Sequence, residues 1–259
     1  MTAPGTSRLS AEDLSIGYGK RAVVHALDFD LGPGLLCGIV GVNGIGKSTL
    51  LRTLAGFQPK LSGRITLGGK ALEDHTPAGL SRELSVVLTE PPASRNLRVR
   101  ELIALGRQPH TNWLGQLSPR DREAVGQSLD TFLLQDLADR KCHELSDGQL
   151  QRVLIARAMA QDTPLILLDE PTTHLDLFHK VQILKMLRQL AQGRQKTILF
   201  STHEIELAIQ LCDRILILDG GDNPIGSPCA LIEKGYFERL FPRDMVRFDP
   251  RTGSFQVNK

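Results

Sequence analysis

The 259-residue sequence lacks any apolar run of the roughly 18 to 20 residues that a membrane-spanning helix requires. Its longest apolar candidates, such as Leu35 to Val40, have only the length of a β-strand. The segment from Met1 to Ser10 contains no apolar stretch after a charged one, so it does not resemble a secretory signal. We therefore expect that, if this protein works at a membrane, another chain supplies the membrane-spanning helices.

The sequence also lacks a large excess of positive or of negative charge. The 31 Lys and Arg residues nearly balance the 29 Asp and Glu residues, and the basic residues are scattered along the chain. This balance gives no reason to expect a nucleic-acid partner. Internal repeats, low-complexity segments and coiled-coil heptads are absent from the sequence as well.

Cysteine is scarce, and its spacing excludes the common metal motifs. The four residues form no C-x-x-C pair and do not lie at zinc-ligand spacing with a pair of histidines. We expect reduced thiols that mostly pack as small hydrophobic groups. They are Cys37, Cys142, Cys212 and Cys229.

Strand patterns alternate with helix patterns in the first and last parts of the chain. Leu35 to Val40 is apolar throughout, which is typical of a strand buried on both faces. The remaining strands of this type are predicted at 85–89, 165–168, 197–200 and 215–218. Helices are predicted after residue 48, ending at Gly56, at 178–192, ending at Gly193, and at 204–212. The alternation indicates an α/β fold with a parallel sheet covered on both faces.

Two regions depart from this pattern. From about Pro91 to Leu150, apolar residues recur at helical spacing among many Arg, Leu, Gln and Glu residues, which predicts a helical insertion. Near the C-terminus, Asp249 to Gly253 has the composition of a turn between two short strands. The sequence suggests no function for this tail.

A phosphate-binding motif follows the first buried strand. Gly41 to Ser48 matches G-x-x-x-x-G-K-[ST] in full. Asn43, Gly44 and Gly46 lie in a loop whose backbone N–H groups can surround phosphate oxygens, at the positive end of the next helix. Lys47 can neutralise the β- and γ-phosphates, the Ser48 hydroxyl can ligate Mg²⁺, and Thr49 offers a further hydroxyl and amide. By itself this motif predicts the binding of a nucleotide together with Mg²⁺.

Two carboxylates end a second buried strand. Leu165 to Leu168 is followed by Asp169 and Glu170, and ligands of open α/β sheets collect at the carboxyl ends of the strands. We expect Asp169 to hold Mg²⁺, directly or through water. Glu170 is expected near the γ-phosphate, where it can polarise the attacking water.

Four short segments resemble motifs of the ABC ATPase family. Leu145 to Gln149 is close to the LSGGQ signature, although Ser146 and Gln149 also fit an ordinary helix capping box. Pro171 to Asp176 resembles the D-loop, and Ser201 to Glu204, which includes His203, resembles the switch-histidine loop. Gly17-Tyr18-Gly19 resembles the A-loop, in which an aromatic ring stacks on adenine; an ordinary turn tyrosine is the alternative for Tyr18. The resemblance extends from about Leu14 to Leu218.

This resemblance implies a fold and a mechanism. The fold is a P-loop NTPase of the RecA-like type, with a parallel-sheet core, N-terminal antiparallel β elements and an inserted helical subdomain. The whole chain, 1–259, would be one ABC nucleotide-binding domain. Its ATP-binding core would lie at about 1–90 and 155–225, and the helical subdomain with the signature at about 91–154. The C-terminal tail would lie at about 226–259. The activity is ATP hydrolysis.

Two copies of an ABC ATPase pack head to tail around two ATP molecules. Ser146, Gly148 and Gln149 would then contact the γ-phosphate bound to the other copy, again at a helix N-terminus. Asp176 of the D-loop joins the same nucleotide site, and His203 senses the γ-phosphate. Closure on ATP and opening after hydrolysis would drive a membrane partner.

The chain departs from the family pattern at two positions. Glu90 stands where the family usually has Gln, and as a carboxylate it remains a good ligand for a hard cation, so we include it as a candidate Mg²⁺ ligand. Asp147 replaces the first glycine of the signature. Its negative charge is tolerated at a helix start.

A subfamily resemblance narrows the function. Leu105 to Thr111 is similar to the G-R-x-P-H stretch of importers for ferric siderophores, haem and vitamin B12. Pro171 to Leu177 followed by His179 fits the same subfamily, although Lys180 stands where Gln is usual. This resemblance implies integral-membrane permease subunits, an indirect substrate-binding protein, and a peripheral place on the cytoplasmic face of the bacterial inner membrane. The partner chains select the substrate.

Other functions remain as alternatives. A soluble ABC ATPase that acts on ribosomes usually carries two cassettes, one that acts on DNA carries a long coiled coil, and exporters commonly fuse the cassette to spanning helices. None of these features occurs in the sequence. A P-loop GTPase is disfavoured because the N-K-x-D motif is missing, and the signature segment argues against a kinase. An ATPase of another transporter type, or one that regulates another transporter, stays open.

Overall fold

The computed structural model describes residues 7–89, 95–242 and 244–257. Its strands are β1 (Leu9–Tyr18), β2 (Arg21–Leu31), β3 (Leu36–Val40), β4 (Ser62–Leu67), β5 (Lys70–Ala71), β6 (Leu84–Val87), β7 (Leu165–Leu168), β8 (Thr197–Ser201), β9 (Arg214–Ile217), β10 (Ile225–Gly226), β11 (Val246–Asp249) and β12 (Ser254–Val257). Its helices are α1 (Lys47–Leu54), α2 (Pro77–Glu83), α3 (Val99–Ala104), α4 (Pro119–Thr131), α5 (Asp147–Ala160), α6 (Leu177–Arg194), α7 (Ile205–Leu211) and α8 (Pro228–Glu233).

The central sheet has six strands in the order β10-β9-β3-β8-β7-β6. All neighbours in it pair in parallel except β10, which runs antiparallel to β9 at one edge. A second sheet, β2-β1-β4-β5, is antiparallel and formed by the N-terminal part of the chain. The predicted parallel core with N-terminal antiparallel strands is therefore confirmed.

The central strands are buried on both faces because helices or the second sheet cover each side. Every residue of β3, β7 and β8 is buried. Alternate residues enter different cores: Leu165 and Leu167 pack with the antiparallel sheet and α1, whereas Ile166 and Leu168 pack with α5 and α6. This period of two explains why a strand of this kind is apolar at every position.

The helical insertion is built around α5, which packs against α3 and α4. A buried ion pair fixes the 3₁₀ turn Leu105–His110 to this group. Arg107 donates from Nε to Asp121 Oδ1 at 2.8 Å and from Nη1 to the Ala160 carbonyl oxygen at 2.7 Å. The N-terminus of α4, the C-terminus of α5 and the turn are thus held by one guanidinium group. The predicted boundary at residue 154 lies within α5, and the division into subdomains stays a prediction.

Helix boundaries differ most from the prediction at α6. This helix extends to Arg194, so Gly193 lies inside it and does not terminate it. The chain turns at Gln195, which has a left-handed φ of 52°. Lys196 N–H donates to the Ala191 carbonyl and the Gln195 side chain donates to the Gln192 carbonyl, so the last carbonyl groups are satisfied without a glycine.

The tail folds back onto α7. Its predicted turn, Asp249 to Gly253, does connect two short strands, β11 and β12. The backbone N–H of Phe255 donates to Glu206 Oε1 of α7 at 2.9 Å, and Phe255 packs on Phe241 and Phe248. The tail is therefore held against the helix that follows His203.

Three cysteines pack in the interior as predicted, and Cys229 is exposed. Burial raises the pKa of the Cys37 thiol to about 12, so this group stays protonated. In the part of the chain that the structure describes, no helix is both long enough and apolar enough to cross a membrane.

Candidate active site

A polar cavity of about 310 Å³ lies at the carboxyl ends of β3, β7 and β8. These strands are neighbours in the sheet, so the segments that follow them meet at one edge. The lining consists of most of the residues predicted to bind phosphate and hydrolyse it: Asn43, Gly44, Gly46, Lys47, Ser48, Thr49, Glu170 and His203.

The loop between β3 and α1 requires glycine at its ends. Gly41 has a φ of +154°, and a Cβ atom there would lie 2.4 Å from the Leu218 carbonyl oxygen. Gly46 has a φ of +115° and precedes α1, where no side chain caps the first turn. The free N–H groups of that turn and the positive end of the helix dipole therefore face the cavity, which suits an anion.

Lys47 is held inside the loop. Its ammonium group donates to the carbonyl oxygens of Gly41 at 2.8 Å and Val42 at 3.2 Å. Burial lowers the pKa of Lys47, while the nearby carboxylates Glu170 and Asp169 raise it. The residue is 5% exposed, and the two carbonyl contacts hold its ammonium group at the loop.

Asp169 is the buried acceptor of two hydroxyl groups. Ser48 Oγ donates to its Oδ1 atom at 3.0 Å, and Ser201 Oγ donates to the same atom at 2.6 Å. Oδ2 carries neither of these bonds. A hydroxyl and a carboxylate this close together form the type of oxygen donor set that Mg²⁺ prefers.

Glu170 follows directly in a left-handed conformation, with a φ of 49°. Both of its carboxylate oxygens have partners: Thr173 Oγ1 donates to Oε2 at 2.9 Å, and His203 Nε2 lies 2.5 Å from Oε1. Nδ1 of the same imidazole lies 3.4 Å from Lys47 Nζ, which can only donate. This pattern fits the neutral imidazole with its proton on Nε2.

Tyr18 ends β1 beside the start of α1. Its hydroxyl shares a hydrogen bond of 3.2 Å with Thr49 Oγ1, while the residue is 60% exposed. The hydroxyl is therefore anchored next to the phosphate loop, and much of the side chain remains accessible to an aromatic ligand.

The signature residues lie at the N-terminus of α5. Ser146 Oγ accepts from the Gln149 N–H at 3.3 Å, and Gln149 Oε1 accepts from the Ser146 N–H at 3.0 Å, so the capping box is formed. Gly148 faces Leu175: a Cβ atom added there would lie 3.2 Å from Leu175 Cδ2. This helix end therefore lies beside the predicted D-loop.

Asp176 caps α6. Its Oδ1 atom accepts from the His179 N–H at 2.9 Å and from Nδ1 at 2.8 Å, and the backbone bond in particular holds the pKa of Asp176 below its usual value. The residues that line the P-loop cavity do not include Asp176 or the three signature residues. Within one copy, the structure thus assembles the P-loop with Asp169, Glu170 and His203, and leaves the signature and Asp176 elsewhere.

Glu90, the remaining predicted metal ligand, lies outside the described residues. Among the residues that are described, no group of three or more His, Cys, Asp or Glu side chains could hold a metal ion. A cation at Ser48 and Asp169 would therefore need phosphate oxygens or water to complete its coordination.

Sequence reasoning missed two members of the site. Ser201 and Thr173 lie within the segments compared with the switch-histidine loop and the D-loop, but neither was singled out as a site residue. Their contacts to Asp169 and Glu170 depend on strand pairing and on the backbone of a tight turn. The only signal in the sequence is their position inside those motifs.

Comparison with known proteins places these features in a family. The family model described as "ABC transporter" matches residues 24–173. The chain is 39% identical over 252 residues to the probable siderophore transport system ATP-binding protein of Bacillus subtilis, covering 96% of this chain and 92% of that protein.

Two solved structures are similar in fold. One is an inward-facing conformation of a metal-chelate type ABC transporter, with a TM-score of 0.79, 31% identity, and coverage of 91% of this chain and 89% of that chain. The other is a dimeric, post-hydrolysis ATP-binding cassette bound to ADP and Pi, with a TM-score of 0.72, 25% identity, and coverage of 85% and 98%.

Proposed function

The chain belongs to the ABC transporter family and is an ATPase, and from this premise we propose that it powers the import of a metal chelate through a separate membrane permease. The observation that carries the proposal is the similarity, over nearly the whole chain, to an ATP-binding protein of a siderophore transport system. The similar fold of a metal-chelate type transporter supports the same class of substrate.

ATP is bound in the cavity at the carboxyl edge of the central sheet. The uncapped first turn of α1 and the ammonium group of Lys47 would hold the β- and γ-phosphates. Tyr18, whose hydroxyl is anchored on Thr49, would offer its ring to adenine. Asn43, Gly44 and Gly46 form the rest of the phosphate loop.

We assign Mg²⁺ to Ser48 and Asp169, because the hydroxyl and carboxylate oxygens meet there. The cation would neutralise charge on the phosphate oxygens. Glu90 remains a proposed further ligand.

Hydrolysis then depends on Glu170 and His203. The Glu170 carboxylate would accept a proton from the attacking water, and Thr173 and His203 hold its two oxygens in place. His203 lies between Glu170 and Lys47, so a γ-phosphate bound at Lys47 would meet the imidazole directly.

A second copy would complete each site. Ser146, Gly148, Gln149 and Asp176 do not line the P-loop cavity of their own chain. The N-terminal turn of α5, at the positive end of its helix dipole, is suited to a γ-phosphate presented by a partner. The dimeric cassette of similar fold supports a pair of copies. In a head-to-tail pair, each P-loop would face the signature of the other copy.

The proposed partners follow from this role. The dimer would bind integral-membrane permease subunits on the cytoplasmic face of the membrane, as a peripheral subunit, and act indirectly on a substrate-binding protein. The candidate cargoes are a ferric siderophore, haem and cobalamin.

Reconstitution with the co-encoded permease tests the proposal. We expect the complex in vesicles to take up at least one labelled cargo in an ATP-dependent manner, with ferric siderophore, haem and cobalamin compared side by side. A complex that carries Glu170→Gln serves as the control and should transport none. ATP hydrolysis without uptake of any metal chelate would remove the import role and leave the ATPase activity intact.

A further inference from the structure

We propose that Ser201 is a positioning residue for ATP hydrolysis, whose hydroxyl fixes Asp169 and Glu170 relative to each other. The inference rests on the roles proposed above for these two carboxylates. Ser201 is the last residue of β8 and is completely buried. Because Leu168 of β7 pairs with Phe200 of β8, Ser201 lies directly beside Asp169 at the edge of the sheet.

The direction of each hydrogen bond is determined by chemistry. A backbone N–H can only donate, and an ionised carboxylate can only accept. Glu170 N–H donates to Ser201 Oγ at 2.8 Å, and Ser201 Oγ–H donates to Asp169 Oδ1 at 2.6 Å. The hydroxyl therefore has one possible orientation, and it connects the proposed metal ligand to the backbone of the proposed general base.

The second effect of the hydroxyl is on the backbone of Glu170. A φ of 49° is unfavourable for a residue with a Cβ atom, so the surrounding contacts must maintain it. The bond from Glu170 N–H to Ser201 is one of them, and a bond of 3.2 Å from Thr173 N–H to the Glu170 carbonyl is another. This conformation directs the carboxylate to Thr173 and His203.

His203 lies two residues beyond Ser201, in the segment that directly follows β8. The hydroxyl thus ties the segment that bears the imidazole to both carboxylates of β7. A shift of Ser201 would change the positions of Asp169, Glu170 and His203 relative to one another. Contacts in the transition state depend on these relative positions more than phosphate binding does. We therefore expect the loss of the hydroxyl to lower kcat rather than nucleotide affinity.

A merely structural hydroxyl occurs on the same strand and provides a matched control. Thr197, at the start of β8, is as fully buried as Ser201, and its Oγ1 donates to the Gly32 carbonyl at 2.8 Å. It does not line the cavity. Thr197→Val removes one buried hydroxyl with its single hydrogen bond, at the end of the strand far from the carboxylates, whereas Ser201→Ala removes one buried hydroxyl with two hydrogen bonds.

The experiment compares four full-length variants with the wild type: Ser201→Ala, Ser201→Thr, Thr197→Val and Glu170→Gln. ATPase rates give kcat and KM, a fluorescent ATP analogue gives nucleotide affinity, and thermal unfolding gives Tm. We expect Ser201→Ala to lower kcat on the order of tenfold or more with affinity within about twofold of the wild type. Ser201→Thr, which keeps the hydroxyl, should restore most of kcat, and Thr197→Val should keep it within about twofold.

Three results would overturn the inference. One is an unchanged kcat in Ser201→Ala, and another is an equal loss of kcat in Thr197→Val at matched Tm. The third is a loss of affinity that accounts for the whole effect. If Ser201→Ala fails to fold, Ser201→Cys, of similar size and with a weak donor, is judged by the same criteria. Glu170→Gln separates the failure of the proposed function from the failure of this inference. If Glu170→Gln keeps full turnover, the role proposed for Glu170 fails. If Glu170→Gln loses turnover while Ser201→Ala keeps it, only the role of Ser201 fails.

Discussion

His203 and Glu170 form a hydrogen-bonded pair at the cavity, with Nε2 of the imidazole 2.5 Å from Oε1 of the carboxylate. The other ring nitrogen lies 3.4 Å from the Lys47 ammonium group. The imidazole therefore stands between the group proposed to activate water and the group proposed to hold phosphate. Each of the following predictions tests one part of this arrangement or of the fold that supports it.

Glu170→Gln should abolish turnover while preserving ATP binding. The amide keeps the size of the carboxylate but cannot accept the proton of water, and a general base contributes about 10²- to 10⁴-fold. We expect the variant to accumulate as an ATP-bound dimer in gel filtration. Glu233→Gln, on the exposed side of α8, is the control and should behave as the wild type. Undiminished hydrolysis in Glu170→Gln would assign the base to another group.

Lys47→Met should weaken ATP binding without unfolding the chain. Among the described residues that line the cavity, Lys47 alone carries an ammonium group, and charge-assisted contacts of this kind correspond to about 10- to 100-fold in affinity. Because burial already lowers the pKa of Lys47, we expect Tm without nucleotide to be unchanged or higher. Titration with a fluorescent ATP analogue measures the loss, and Lys185→Met, at an exposed position of α6, controls for net charge.

Mixing two inactive variants should restore activity if the sites are shared between copies. Lys47→Met inactivates the P-loop of one copy by removing its ammonium group, and Ser146→Arg blocks the signature of the other copy with a large side chain. In a head-to-tail dimer, one of the two composite sites of the mixed pair then keeps both an intact P-loop and an intact signature. We expect the mixture to hydrolyse ATP faster than either variant alone. No gain on mixing, at concentrations where the wild type dimerises, would contradict sites formed in trans.

Tyr18→Ala should reduce ATP affinity, whereas Tyr18→Phe should leave it nearly unchanged. Stacking of aromatic rings contributes roughly 0.5 to 1.5 kcal/mol, which predicts a loss of up to about tenfold for the alanine variant. The phenylalanine variant loses only the hydrogen bond to Thr49. Calorimetric titration of both variants measures the difference. An ATP affinity of Tyr18→Ala equal to that of the wild type would show that Tyr18 is an ordinary turn residue.

The Arg107–Asp121 pair should stabilise the helical insertion in a pH-dependent way. Both side chains are at most 4% exposed, so Arg107→Met leaves a buried carboxylate unpaired and should cost about 3 to 5 kcal/mol. The double variant Arg107→Met/Asp121→Leu should recover much of this loss. Denaturant unfolding at pH 7 measures both values, and a single variant as stable as the wild type would contradict the prediction.

The same pair makes a prediction for acid. Hydrogen bonds from Ser118 and Arg107 hold the pKa of Asp121 at about 2, below its ordinary value of 3.8. A lowered carboxyl pKa in the folded state stabilises the fold above about pH 4 and loses that effect as the pH falls towards 2. The wild type should therefore lose more unfolding free energy over this range than the double variant, which cannot titrate at position 121.

By itself the sequence determined the parallel core, the presence of helices between residues 95 and 160, and most of the residues that line the P-loop cavity. Strand and helix patterns are local, and the P-loop, the Asp169–Glu170 pair and the capping box at Ser146 are short motifs whose chemistry is carried by neighbouring residues. Glu90 and the roles of the site residues stay predictions, because their position or their ligands are not part of the described structure.

Tertiary structure alone decided what joins these motifs. Ser201 contacts Asp169 across 32 residues of chain because β7 and β8 pair in the sheet, and no local pattern specifies that pairing. The end of α6 at Gln195 likewise depends on hydrogen bonds to its last carbonyl groups rather than on Gly193. Local spacing determines which groups a segment can offer, whereas the packing of the strands determines which of those groups meet.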